Sequence, residues 1–555
     1  MLVSIENNKF TIQEENSKNK ILSNKNILEI LLDNRLIKDK DRKKFLQDFD
    51  IEKIDPYEFS EMEKAVEMIS TKINSKSKIG IYGDFDADGL TGTAILFETL
   101  KTLGADPKPF IPHRENEGHG ISLNGLNTLI DLGCDLIITV DTGTNSNELI
   151  DKLIDEKKIN FVITDHHIPE KTKYNYPIIN PVFENNKTIY SGAGVAWLLS
   201  KALFDKFNIP MKDGITSLAT IGTIADVAPL LNNNRIIVKN GLFEISKTKN
   251  FGIRALNNLV GKKFFYEAPE SEYISFSLAP RINTPGRIED AYLALNLLTS
   301  QNSKTAHNLS QKIEIMNDKR KDLSRKLWDE VQGQINSQFT NPIIILDCSG
   351  YPLGLLGPLA GRLVENLSKP ILCFAKRNKI CRFSSRSGDN YNLFDNLSKL
   401  QDYYLNFGGH ASAAGFSIYA KDLESFKNDL FNINISKKKL NSTKKYKIDL
   451  ELSISELNFE LWDEIRCLSP FGEKNPIPIF LAKRANLENY RKIGKDKNHM
   501  SGQISARDKI FDFIYFNCGD IEINNGYINF IYQLRYDYWN GKIQKKLQLL
   551  EIENC

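Results

Sequence analysis

What the chain lacks narrows the field first. Its seven cysteines are scattered over 555 residues and no two form a C-x-x-C pair, so a zinc ribbon or a disulfide framework is a poor reading. No apolar run approaches the ~18–20 residues that cross a bilayer. The first residues, MLVSIENNKF, have no apolar core of a secretory signal. A cytoplasmic protein with no membrane association is expected. An excess of one charge is also missing, since 73 basic residues face 70 acidic ones for a net +3. Any nucleic-acid surface must therefore come from local clustering. No internal repeat is visible, and the length is too great for one core, so several domains are expected.

The pattern changes along the chain supply boundaries. Residues 1–70 read as a helical segment ending in DPYEFSEMEKAVEMIS, where Met62, Val66 and Ile69 recur near helical spacing. Over 71–232, short apolar runs (SKIGIYGD, CDLIITVD, NFVITD) alternate with helix-like stretches, the signature of a parallel sheet covered by helices. Residues 233–340 read as a helical connector, with Leu309, Ile313, Met316, Leu323, Leu327, Val331 and Ile335 at mainly three- and four-residue steps. A second α/β domain is expected at 341–432, beginning at PIIILD. The lysine-rich stretch Lys437–Lys447 reads as a linker. Within 433–555, alternating runs such as YINFIYQLRYDYW predict a small β-barrel.

Three apolar strands each run into an acid, at Asp84, Asp141 and Asp165. In an open parallel sheet such acids meet at one edge, beyond the carboxyl ends of the strands. Each alone is an ordinary helix cap; three in one domain, one inside GDFDADG, point to a site. Asp84, Asp86 and Asp88 repel one another unless a cation neutralises them. A solvated turn or a calcium loop are the rival readings of this stretch. The preceding strand and the missing Glu twelve positions on argue against the EF-hand. GLTGTA lacks G-K-[ST] and is no P-loop. Asp226 stands in the otherwise apolar TSLATIGTIADVAPL, where a partly buried acid needs a partner or a metal. Carboxylates with one or two imidazoles suit Mn²⁺ or Mg²⁺ better than zinc. So many acids suggest two ions, which together can acidify a water and clamp an in-line phosphoryl displacement.

In this order DFDADG, VDTG, TDHH and the Asp of TIADVAP resemble the motifs of the DHH phosphoesterases. FGGHASAAG resembles the signature of their associated C-terminal domain. FIPHRENEGHG, PRINTPGRIEDA and LSPFGEKNPIPIF are similar to the RecJ branch, single-strand-specific DNA exonucleases, and the similarity spans nearly the whole chain. The resemblance implies a parallel-sheet DHH domain, a long connecting helix, a second α/β domain and a C-terminal OB-like barrel. It implies a 5′→3′ exonuclease that releases nucleoside 5′-monophosphates in repair and recombination, using two Mn²⁺ or Mg²⁺ ions. Asp84 and Asp86 would ligate one ion each, Asp141 would bridge both, and His166 and Asp226 would complete the ligand set of the second ion. His167 would face the scissile phosphate, with Asp141 and Asp86 also in the catalytic set. Asp165 would support the turn, since both histidines lie beyond the end of the strand.

Phosphate contacts are expected from Arg114, Arg281, Arg287 and Arg386, with Asn283 in support, and from Gly408, Gly409 and His410 of the second domain. In the barrel, Lys483, Arg484, Arg491 and Lys492 around Tyr490 suit single-stranded nucleic acid. Implied partners are single-stranded DNA, a helicase and a single-strand-binding protein, with the chain a monomer. The chain departs from the family pattern at His119, where Tyr is common, at Thr284–Pro285, where two alanines are common, and at Ser385. Two rivals remain: a DHH phosphodiesterase for short oligonucleotides or cyclic dinucleotides, and a non-catalytic DNA-binding scaffold.

Overall fold

A computed structural model describes residues 2–6, 9–13, 26–47, 49–170, 173–184, 188–261, 270–388, 391–433, 444–494, 497–519, 526–539 and 542–555. Among these, no helix is long and apolar enough to cross a membrane.

The first large domain is built on a five-stranded parallel sheet. Its spatial order is Asp106–Phe110, Lys78–Tyr82, Cys134–Val140, Asn160–Thr164 and Ile178–Ile179. The three central strands are buried on both faces, which is why they read as continuous apolar runs. Strand Lys78–Tyr82 comes first in the chain, and its successors lie on opposite sides of it. The gap between its carboxyl end and that of Cys134–Val140 is therefore the topological switch point, where α/β sheets bind ligands. Asp84 leaves one of these strands and Asp141 the other.

Helices Ala87–Thr102, Gly192–Lys206 and Ile215–Ala225 pack against one another behind the sheet and are almost wholly buried. The helix Ala87–Thr102 begins before its apolar run, which starts at Ala94. Asp86 caps it by accepting from Asp88 N at 3.0 Å and Gly89 N at 3.1 Å, so the Gly-rich GLTG lies inside the helix.

The helix Ser303–Ser337 spans 35 residues, roughly 50 Å at 1.5 Å per residue. Its first half packs into the core of the first domain through Ala306 and Ile313. Its second half packs into that of the next domain through Leu327, Val331 and Ile335. The rest of the expected connector is different: helices Asn232–Ile245, Phe251–Val260, Ala279–Ile288 and Tyr292–Leu298 belong to the first core. The second domain carries a mixed sheet, with Ile344–Asp347 parallel to Ile371–Arg377 and the strands Ile380–Arg386, Ala413–Tyr419 and Tyr404–His410 antiparallel. In the third domain, Phe480–Ile493 pairs with both His499–Ala506 and Tyr527–Trp539, closing a five-stranded barrel.

Two boundaries need correction. The N-terminal segment is not one helical unit: strands Leu2–Glu6 and Lys9–Gln13 precede the helices. Leu31 and Leu32 enter the barrel's core, whereas Met62, Val66 and Ile69 enter the first domain's core. The reading of Lys437–Lys447 as a linker falls outside the described residues up to 443. Its last four residues form a strand, Lys444–Lys447, antiparallel to Leu2–Ile5.

Candidate metal centre and substrate groove

The acids at the switch point are held by backbone geometry. Asp141 adopts a left-handed φ of 60°, uncommon for a non-glycine residue, and its N–H donates to Thr164 O at 3.0 Å. Gly192, at the start of the helix opposite, makes room for it. A Cβ there would lie 2.4 Å from Asp141 Cβ and 2.7 Å from its Oδ1. Asp88 accepts the N–H of Gly192 at 2.6 Å and that of Ala193 at 2.9 Å, so a buried carboxylate holds the N-terminus of that helix. Gly222 is required on the other side, since a Cβ would reach 2.6 Å from Asp88 Oδ1.

Among the described residues, three sets place ligand atoms within 4.8 Å of one another: Asp84 with Asp86 and Asp141; Asp88 with His166 and Asp226; and Asp141 with His166 and His167. All five expected ligands are thus brought together. Asp88 is an addition that the sequence reading left without a role.

Two observations test whether these residues suit cations. First, Asp84 Oδ1 and Asp141 Oδ1 are buried without a hydrogen-bond partner, an arrangement that costs free energy unless something fills it. His166 Nε2 lies 3.0 Å from Asp141 Oδ1, but the pair lacks hydrogen-bond alignment. Two donor atoms turned toward one shared point behave this way. Second, the charges conflict. Burial, then Asp88, Asp86 and Asp84, push the Asp141 carboxyl well above the usual range. Burial and then Asp84 and Asp88 raise Asp86. Burial and then Asp88 raise Asp226 to about 7. A cluster of oxygens that resist their own ionisation is what divalent cations relieve. The donor set fits Mn²⁺ or Mg²⁺.

The two histidines are separated by Asp165. Its Oδ1 accepts from the backbone of His166 at 2.7 Å and contacts His167 Nδ1 at 2.7 Å, while its Oδ2 accepts from Thr144 N at 2.9 Å. Burial opposes charge on Asp165, but the His167 contact outweighs it and holds the acid far below its normal range. That hydrogen bond raises His167 to about 9. Burial works against charge on His166, but Asp226 and then Asp88 override it and raise that imidazole too.

Models of three families match the chain: the DHH family, N-terminal domain, over residues 78–223; the DHHA1 domain over 340–434; and the RecJ OB domain over 448–551. The single-stranded-DNA-specific exonuclease RecJ of Thermus thermophilus is 32% identical over 88% of this chain and 71% of its own length. The chain belongs to the RecJ family. The Bacillus subtilis RecJ is 33% identical over 91% of this chain, which spans 65% of that relative's length. The crystal structure of Thermus thermophilus RecJ in complex with Mn²⁺ superposes with a TM-score of 0.79 at 26% identity, covering 95% of this chain and 76% of that one.

The residues expected to line a RecJ groove divide into two groups. Arg114 lies with its guanidinium 4.0 Å from the Phe85 ring centre and donates to Gly286 O at 3.1 Å, beside Asp84 and Asp86. Arg287 donates to Gly354 O at 3.1 Å across the domain boundary. Burial, then Arg114 and Arg320, lower it to about 10 against the pull of Asp86, with Arg386 adding less, so the repulsion of neighbouring guanidiniums outweighs the one nearby acid. Arg386 and His410 both pair with Ala413 on neighbouring strands. In-register partners share a face, and Gly408 and Gly409 lie beside them, exposed.

Arg281 and Asn283 do not join this group. Arg281 is already bidentate to Glu314, at 2.6 and 2.8 Å. Asn283 Oδ1 accepts from Ala87 N at 2.8 Å, completing the cap of the Asp86 helix. Arg281 is therefore not a free phosphate donor, whereas the Asn283 bond uses only its acceptor oxygen and leaves the Nδ2 donor uncommitted among the described residues.

Three residues were missed. His119 Nδ1 lies 3.4 Å from Asp84 Oδ2, and its ring packs against Phe85 at 4.4 Å, tilted by 56°. Nothing local in GHG signals this; only closure of the loop does. Arg382 ties that loop to the second domain by donating to Glu115 O at 2.6 Å. Arg320 enters the basic cluster from the long helix with its Nε buried and without a hydrogen-bond partner. In sequence it is one more charge on a charged helix face.

Proposed function

We propose that this chain is a metal-dependent exonuclease that hydrolyses phosphodiester bonds of single-stranded DNA. The observation that carries this reading is the convergence of Asp84, Asp86, Asp141, His166 and Asp226 at the switch point, facing a space crowded with arginines. Two divalent cations bound there would supply an acidified water and charge neutralisation on the reacting phosphate. Asp84 and Asp86 would hold one ion, Asp141 both, and His166 with Asp226 the other. His167, cationic and oriented by Asp165, stabilises charge on the scissile phosphate. Arg114, Arg287, Arg386 and His410 hold the neighbouring backbone phosphates as charge-assisted donors.

On the barrel, Arg484 stacks 5.4 Å from the Tyr527 ring, and Tyr490 is 44% exposed. Such a basic and aromatic surface extends the grip along a strand and favours long substrates over dinucleotides. Lys483 contributes less, being paired with Glu451 at 2.9 Å. Products are nucleoside 5′-monophosphates and polarity is 5′→3′, as the family resemblance implies. A chain that takes one strand works with a helicase to separate duplexes and with a single-strand-binding protein, in the cytoplasm and as a monomer.

Digestion of 5′- and 3′-labelled single- and double-stranded DNA with Mn²⁺, Mg²⁺ or chelator tests the reading. Release of labelled mononucleotide from the 5′ end of single strands, lost with chelator, is expected. Cleavage of dinucleotides alone would favour the small-substrate phosphodiesterase.

A further inference from the structure

Asp226 is held by the turn at a helix C-terminus, not by the sheet edge. It ends the helix Ile215–Ala225, and Ala228 N closes the turn by donating to Thr223 O at 3.1 Å. The reversal falls on Val227, at φ 59°. Helices commonly turn back through a left-handed residue here, but it is normally glycine, and a β-branched residue is poorly suited. Val227 is 63% exposed, so its own packing does not hold it there. Asn234 holds Pro229 O at 3.0 Å from within the DHH domain. The outer support comes from the barrel: Leu230 N donates to Glu473 O at 2.9 Å. Gly472 lies so close that a Cβ would stand 2.6 Å from Leu230 Cδ1.

The supporting loop is itself tightly braced. Asn475, fully buried, donates to Leu468 O at 2.9 Å and Pro470 O at 2.8 Å, and accepts from Arg35 Nε at 2.9 Å. Arg235, in the helix after the Asp226 turn, donates to Leu468 O and Ser469 O, each at 2.8 Å. Ser271 Oγ donates to Phe471 O. Residues 226–235 therefore have one end in the ligand cluster and the other clamped to the barrel. The joint is incompletely filled, with a cavity of about 280 Å³ between Val227 and Leu230 on one side and Phe471, Glu473 and Gln533 on the other. This cleft is open to solvent, so the joint is held by fewer packing contacts than a closed core.

We propose that the barrel loop Leu468–Pro476 is a positioning element for Asp226, so that the ion Asp226 shares binds tightly only while the barrel is seated on the DHH domain. This rests on the reading of the cluster as a cation site. The test uses the full chain without DNA. Mn²⁺ binding is titrated by calorimetry and by the electron-paramagnetic signal of free Mn²⁺, and hydrogen exchange at Leu230 N reports whether the joint is open. Leu230→Ala and Gly472→Val should speed that exchange and weaken one ion by about tenfold, leaving the other unchanged. Adding Val227→Gly to Leu230→Ala should recover most of the affinity. Faster exchange with both ions unaltered, equal weakening of both ions, or no faster exchange in either variant would each overturn the proposal. Failure of the wild-type chain to bind Mn²⁺ would instead sink the proposed function.

Discussion

Asp165 holds His167 by its Nδ1 at 2.7 Å, while the adjacent His166, its ring 4.7 Å from that of His167, places its Nε2 3.0 Å from Asp141 Oδ1. Two neighbouring residues of one type are thereby committed to different partners. His166→Ala should weaken Mn²⁺ binding in a calorimetric titration. His167→Ala should keep the metal isotherm and lower kcat by about 10²–10³-fold, the usual loss for one preorganised donor. Equal loss of metal in both variants would refute the division.

The same pair sets a pH dependence in the metal-free protein. His167 is raised to about 9 from an ordinary 6.5, so the folded state binds its proton more tightly than the unfolded one. The stabilisation is fully present below about pH 6.5 and is lost as pH rises through about 9. Asp165→Asn removes the partner that causes the shift. Melting curves in chelator across this range should show a fall for the wild type and a flatter profile for the variant.

Much of this centre is legible in the residues because its parts are local. An apolar run followed by an acid marks a strand end, and strand ends of one parallel sheet meet. Positions fixed by long-range pairing are not legible in that way. Arg281 lies in a motif that suggests phosphate binding, yet Glu314 on another helix takes its Nε and Nη2, and Ser277 O takes its Nη1. Asn283 caps a helix nearly two hundred residues earlier in the chain. Leu31 and Leu32 lie in the N-terminal segment, and nothing local in it marks the barrel as the core they enter.

Asp141 should show opposed effects on stability and function. Burial and the surrounding acids raise its carboxyl well above normal, so its charge destabilises the metal-free fold at neutral pH. Asp141→Asn should melt higher than the wild type in chelator. It should also lose the thermal stabilisation that added Mn²⁺ gives the wild type, together with detectable hydrolysis.

Gly192→Ala tests the placement of Asp141 without removing a charge. The new Cβ would stand 2.4 Å from Asp141 Cβ, so the ligand or the helix must shift. A misplacement of about 1 Å can cost roughly 10² in rate. Overpacking of this kind typically costs about 1–3 kcal/mol of stability. A large fall in kcat with a modest fall in melting temperature is expected; unchanged kinetics would show that the helix yields and Asp141 does not.

Arg281 and Arg287 stand six residues apart on one helix and should behave differently. Arg281 is neutralised by Glu314, so Arg281→Ala strands a half-buried carboxylate and should lower stability with little change in KM for DNA. Arg287 has no such partner among the described residues; it donates to a backbone carbonyl and is crowded by other arginines. Arg287→Ala relieves that repulsion and should leave the fold intact. It should raise KM for single-stranded DNA by roughly 10- to 100-fold, the effect of losing a charge-assisted hydrogen bond of about 1.5–3 kcal/mol. The comparison needs only melting curves and steady-state kinetics. The reverse result, with Arg281→Ala raising KM and Arg287→Ala unfolding the chain, would mean that DNA displaces Glu314 and that the arginine cluster is structural.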